Sequence, residues 1–228
     1  KELKKILLSF LLTLCHVMTF VPMAAFAEGP DKISITTVAE LLQFATAVDN
    51  GEYDGKTDAV VSLDADLDLT GIAWKPIGSV FAADGTLQHS FSGKFYGNGH
   101  TISYLVFSEN YGKTEYPSFG FFSEVYGAEI SVLTIQGKLD VSNSDPVYFG
   151  TVAGVAADSK ISDCVSDVSF TDTDKYINGT VALCGYAINS TIEYCQNKGN
   201  FSITKDVSSF QMGGIVGLAQ NSTVQYCA

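Results

Sequence analysis

Asp64, Asp66 and Asp68, at alternate positions, come closest in this sequence to a constellation with chemistry. Three carboxylates around one cation could make a Ca²⁺ site, and Thr70-Gly71 follows the string. A calcium loop, however, needs a sharp turn so that its ligands converge. The spacing here reads as extended strand, which sets successive same-face carboxylates about 6.6 Å apart. A solvated strand face is the expectation, with Ca²⁺ on the three aspartates as the alternative. Hydrolytic motifs are missing: there is neither H-E-x-x-H nor G-x-S-x-G. A glycosidase needs two carboxylates flanking a groove, and among so many acids no pair stands out. His89 and His100 are the histidines downstream of the leader, and His100 closes an Asn98-Gly99-His100 turn, a structural hydrogen-bonding place. No catalytic residue and no cofactor is expected.

Tyrosines and cysteines keep a stricter rhythm. Cys164, Cys195 and Cys227 follow Ile161-Ser162-Asp163, Ile192-Glu193-Tyr194 and Val224-Gln225-Tyr226, at intervals of 31 and 32. The register extends upstream to Leu133 and, further back, to Leu105 after Ile102-Ser103-Tyr104. A position shared by Leu and Cys reads as a small buried apolar slot, so free core thiols are expected. A bond involving Cys184, which lies off the ladder, is the alternative. Tyr104, Tyr194 and Tyr226 each precede the ladder by one, which on a strand faces them outward. Such a column could stack against a sugar or a protein, or simply stiffen the wall.

The elements that must position these residues are repeats. Gly154, Gly185 and Gly217 lie seven before the aliphatic residue of each copy, and Phe121, Val152, Leu183 and Ile215 lie nine before it. Asp158-Ser159, Asn189-Ser190 and Asn221-Ser222 recur at a turn. A fixed period of this length means stacked supersecondary units with a continuous core. Asp140–Asp145 and Thr171–Asn178 are expected bulges. Upstream, Thr37-Val38-Ala39-Glu40 is a capping box, and Val38, Leu41, Leu42, Ala45 and Val48 follow at helical spacing to an Asn50-Gly51 stop. Such a helix could cover the exposed end of the stack. From Val60 to Leu69 the sequence alternates as one strand with Val61, Leu63, Ala65, Leu67 and Leu69 inward.

Lys1, Lys4 and Lys5 precede an apolar run closed by Ala25-Phe26-Ala27, which reads as a signal peptide over 1–27, with a single-span anchor as the alternative. The organisation expected after it is a capping-helix segment, 28–52, and a β-helix, 53–228. The chain starts without methionine and stops one residue after Cys227, inside a repeat, so a fragment with further coils downstream is expected. Removing the leader takes away three lysines and one glutamate, leaving 10 Lys against 24 Asp and Glu, a charge of −14 with no arginine. Nucleic acid and anionic lipid, which need a basic surface, are disfavoured, and no nucleic-acid partner is expected. No membrane insertion is expected after signal removal, because no second apolar stretch spans a bilayer. The sequons at Asn178, Asn189, Asn200 and Asn221 read as turn residues rather than glycan acceptors.

Met212-Gly213-Gly214-Ile215-Val216-Gly217 followed by Asn221-Ser222-Thr223-Val224-Gln225-Tyr226-Cys227 resembles the GLUG repeat of bacterial surface proteins. The upstream succession of helix, Leu67-Asp68-Leu69, Trp74-Lys75-Pro76-Ile77-Gly78 and Phe91 to Ile102 looks like the start of such arrays. The likeness spans about residues 33–228, although Ser123 replaces one expected glycine and Cys184 interrupts one copy. The resemblance implies an all-β, right-handed parallel β-helix with about 31 residues per coil and an N-terminal capping α-helix. It also implies a secreted or cell-surface, non-catalytic scaffold or adhesin, whose partner would be a host or cell-surface glycan or protein. The alternatives are a carbohydrate-active β-helix, or the N-terminal arm of a secreted metalloprotease whose active site lies elsewhere; this resemblance includes regions ahead of immunoglobulin-A metalloprotease domains.

Overall fold

The computed structural model describes residues 32–82, 85–108, 118–140, 144–172, 177–203 and 210–228; the leader segment lies outside them. Three sheets of parallel strands wind into a β-solenoid of about five coils, each of about 31 residues. Sheet I runs Lys32–Ile35, Val60–Leu63, Lys94–Tyr96, Glu129–Ser131, Lys160–Ser162, Thr191–Glu193 and Thr223–Gln225. Sheet II carries Leu67–Asp68, Thr101–Ser108, Thr134–Asp140, Val165–Asp172, Gln196–Asn197 and Phe201–Ile203. Sheet III carries Ser118–Phe119, Phe122–Tyr126, Ser144–Ala157, Ile177–Ile188, Phe210–Met212 and Val216–Gln220. One antiparallel pair, Val80–Phe81 with Leu87–His89, leaves the first coil as a hairpin. Among the described residues no helix is long and apolar enough to cross a membrane.

The repeat becomes a ladder of identical positions. Phe95, Ile130, Ile161, Ile192 and Val224 pair strand to strand along sheet I. The first four are wholly buried, whereas Val224 on the last described coil is 43% exposed. Parallel stacking is what makes the period legible, because each inward residue rests on its own counterpart one coil away.

Two columns of left-handed corners bound sheet I. Where sheet III turns into sheet I, Gly127, Asp158, Asn189 and Asn221 have φ of 64°, 48°, 48° and 50°, a conformation that glycine and Asx residues tolerate best. The serine after each Asx forms a spine. Ser159, Ser190 and Ser222 each donate to the carbonyl two residues back. The same hydroxyls accept from the N–H of Ala128, Ser159 and Ser190 on the preceding coil, each at 3.0 Å. Where sheet I turns into sheet II, Val132, Asp163, Tyr194 and Tyr226 have φ of 55° to 56°.

The helix, Val38–Asp49, closes the first coils. Thr37 Oγ1 accepts from Glu40 N at 3.2 Å, and Glu40 Oε2 accepts from Thr37 N at 3.0 Å, completing the capping box. Leu41, Phe44 and Val48 form its buried stripe. Leu42, expected on the apolar face, is 40% exposed; it lies one residue off the stripe that Leu41, Phe44 and Val48 define at spacings of three and four. Phe44 meets Tyr53, Phe91, Phe95 and Phe122 at centroid distances of 5.2 to 6.5 Å. Trp74 stacks on Phe121 at 5.1 Å and donates to Gly120 O.

Three expectations need correction. The strand Val60–Leu69 is two strands, Val60–Leu63 in sheet I and Leu67–Asp68 in sheet II, with a corner between. Alternating burial runs through the corner because the interior stays on one side of the chain. Ile102 pairs with Ile135, not with the Ile130 position, so Leu105 is not a rung of the cysteine ladder. Finally, Lys32–Ile35 before the helix is itself a strand, paired with Val60–Leu63. The expected bulges at 140–145 and 171–178 fall partly outside the described residues.

Candidate functional site

Asp64 and Asp66 act as straps between coils, whereas Asp68 closes a local turn. Asp64 accepts from Ser34 Oγ and Ser62 Oγ, both at 2.5 Å, and from Asn98 Nδ2 at 2.9 Å. Asp66 Oδ1 accepts from Thr101 N at 2.8 Å and faces His100 Nδ1 at 3.1 Å. Asp68 accepts from Thr70 N. These donors hold all three carboxyls below the usual range: the Ser34 and Ser62 hydroxyls at Asp64, the Thr101 amide at Asp66, and Thr70 at Asp68. The three carboxylates thus turn to separate partners, and among the described residues no group of three or more His, Cys, Asp or Glu is placed to hold a metal ion. His100 does the structural work its turn suggested. His89 pairs with Asp54 at 2.7 Å beneath the turn at Gly51, at the root of the hairpin.

Cys164, Cys184, Cys195 and Cys227 are free. The ladder thiols take one posture: Cys164, Cys195 and Cys227 each donate to the carbonyl two residues back, at 3.2 to 3.3 Å. Side chains in one rotamer on parallel rungs lie side by side rather than facing each other. The neighbouring Cys195 thiol and burial raise Cys164, and burial pushes Cys184 up to about 12, so both stay protonated and unreactive at neutral pH.

The tyrosines separate. Tyr194 and Tyr226 come together, ring centroids 5.0 Å apart and planes within 13°. They sit at the left-handed corner between sheets I and II instead of on a strand face. Tyr104 also has positive φ, at 57°, but it lies where the pairing of Thr101–Ser108 with Thr134–Asp140 shifts register. It therefore belongs to a bulge in an earlier coil and not to the corner column.

That corner is an anomaly on energetic grounds. A left-handed residue with a Cβ costs roughly 1–2 kcal/mol, which for two tyrosines comes to about 2–4 kcal/mol. One stacked aromatic pair returns only about 0.5–1.5 kcal/mol. The Asx column on the other side of sheet I shows the cheaper solution. Val132 stands in the same conformation two coils before Tyr194, so the strain belongs to the corner column and not to the rings, which are 52% and 70% exposed.

Beside the rings lies a network the spacing of tyrosines and cysteines did not reveal. Glu193 Oε1 meets Lys160 Nζ at 2.8 Å, and Glu193 Oε2 accepts from Gln225 Nε2 at 2.8 Å. Lys160 and Gln225 together hold the Glu193 carboxyl below its ordinary value. Glu193 and Gln225 share the repeat position two before the cysteine, so the signal was present, but only for a period read across polar residues. A second group was also missed. Glu124, on sheet III, is half-buried with Ser118 Oγ donating to it at 2.8 Å, and desolvation raises its carboxyl.

No protein family and no curated protein matches this chain. Among solved structures, one similar to it is a Bacteroides ovatus protein named "putative immunoglobulin A1 protease". The two are 14% identical, with 84% of this chain and 74% of that one covered, at a TM-score of 0.43. At that level the likeness assigns no activity here.

Proposed function

We propose that this chain is a non-catalytic, exported β-helix module that serves as a rigid scaffold or adhesin. The observation that supports the reading best is how its acidic side chains are used. Asp64 and Asp66 strap one coil to the next, Glu193 ties three coils through Lys160 and Gln225, and Glu40 closes the helix cap. Carboxylates committed to holding coils together suit a stiff rod better than a cleft with mobile acids. The GLUG resemblance and the Lys-rich leader support export to a bacterial surface. The test is turnover: the purified chain is incubated with a panel of polysaccharides and with immunoglobulin A. No release of reducing ends or peptide fragments is expected. Reproducible cleavage that disappears with a single acidic substitution would overturn the reading.

A further inference from the structure

We infer that the Tyr194–Tyr226 corner, with Glu193, Gln225 and Lys160 beside it, binds a neutral pyranose chain. The inference rests on the scaffold-or-adhesin reading above and gives that reading a ligand class.

Four observations converge on this corner. Tyr194 remains 52% exposed although Tyr226 stacks on it, so ring surface is left for the C–H face of a sugar. Both tyrosines occupy the left-handed corner that Val132 and Asp163 fill in the earlier coils, a backbone that fixes where each ring leaves the wall. One residue upstream of each ring stand Glu193 and Gln225, and Glu193 accepts from Gln225 Nε2 and pairs with Lys160, each at 2.8 Å. Fixed carboxylate, amide and ammonium groups supply acceptors and donors for ring hydroxyls without the entropy of ordering them on binding. Lastly, the chain carries a net charge of −12 and no arginine, which repels anionic glycans and leaves uncharged ones.

The stack also sets the geometry. The rings follow one another from coil to coil with planes within 13°, so each covers one face of its neighbour and a sugar would pack on a face left free. Asp163, the neighbouring corner residue one coil back, carries no ring and would end the platform.

The experiment is native gel electrophoresis of the whole chain through gels containing hydroxyethylcellulose, mixed-linkage β-glucan, galactomannan or, as an anionic counterpart, polygalacturonate. At least one neutral polymer is expected to slow the chain twofold or more, while polygalacturonate does not. The double variant Tyr194→Asn, Tyr226→Asn should run unretarded with an unchanged or higher Tm, because Asn suits the left-handed backbone. Gln225→Ala should recover part of the mobility. Failure of every neutral polymer to retard the chain overturns the inference. So does retention of binding by the folded Asn double variant, or stronger retardation by polygalacturonate. The two readings fail separately: absence of retardation leaves a scaffold without this ligand, whereas release of reducing ends from a retarding polymer removes the non-catalytic reading and keeps the site.

Discussion

The first coils and the later coils solve the same packing problem with different residues. Around the helix the interior is a nest of unique aromatic contacts, in which Phe44, Phe91, Phe95, Phe121 and Phe122 meet edge-on or stacked within 6.5 Å. From Thr151 onward it is lined by aliphatic rungs, Val152, Ile161, Val168, Leu183 and Ile192, interleaved with small residues such as Ala153, Cys164, Ala182 and Cys195, all buried. An end must be closed once, against a helix that repeats nothing, and large rings fill such an irregular space. A repeating coil must rest on a near-copy of itself, and aliphatic and small side chains that recur at one position do that without collision. Stability should accordingly be concentrated at the closed end and spread thinly elsewhere.

The largest effect expected from that contrast is at Phe122. Phe122→Ala should cost about 4 kcal/mol, against about 1 kcal/mol for Cys164→Ala, since the cavity term scales with the volume removed. Denaturant unfolding of the two variants checks this, and equal losses would mean that the aromatic nest is not the anchor. A middle-sized effect is expected on the spine. Ser190→Ala strips the buried Ser159 N–H of its acceptor, at a cost of about 1–3 kcal/mol. Ser79, whose buried hydroxyl has no hydrogen-bond partner among the described residues, should tolerate the same substitution with no loss of Tm. The contrast between two buried serines separates hydrogen bonding from simple volume. The smallest effect concerns pH. Glu124 has its folded pKa raised by burial, so the fold favours its neutral form. Its favourable contribution is complete below the unfolded carboxylate range and is lost as pH rises through the folded value. Glu124→Gln should therefore gain Tm over the parent at pH 7 and show little difference at pH 4. A constant offset across that range would mean that the carboxyl is not desolvated.

Much of this architecture is legible in the residues because stacking converts a coil into a period. Ile161, Ile192 and Val224 announce their ladder, and Asp158, Asn189 and Asn221 announce a corner, since each residue type answers directly to the backbone beneath it. The bend at Asp64–Asp66 is hidden, because a period of two in burial looks the same whether a strand runs straight or turns with its interior on the same side. The tyrosine corner is hidden for the opposite reason: a ring before a buried position reads as an outward strand residue, and nothing in Tyr194 or Tyr226 signals positive φ. Tyr104 kept the same local company, Ile102 two before it and Leu105 after it, and yet lies in a bulge. Local pattern specifies a rung only when the neighbouring coil supplies the matching one.

The serine spine has a direction. Ala128 needs no hydroxyl of its own, and each later turn of the chain supplies the acceptor for the amide one coil before it. A duplicated stretch of 31 codons would therefore carry both halves of the bond, the amide that asks and the hydroxyl that answers, and would splice into the column without any compensating change. Heredity can lengthen or shorten such a rod in whole units, and selection then acts on its length rather than on its folding.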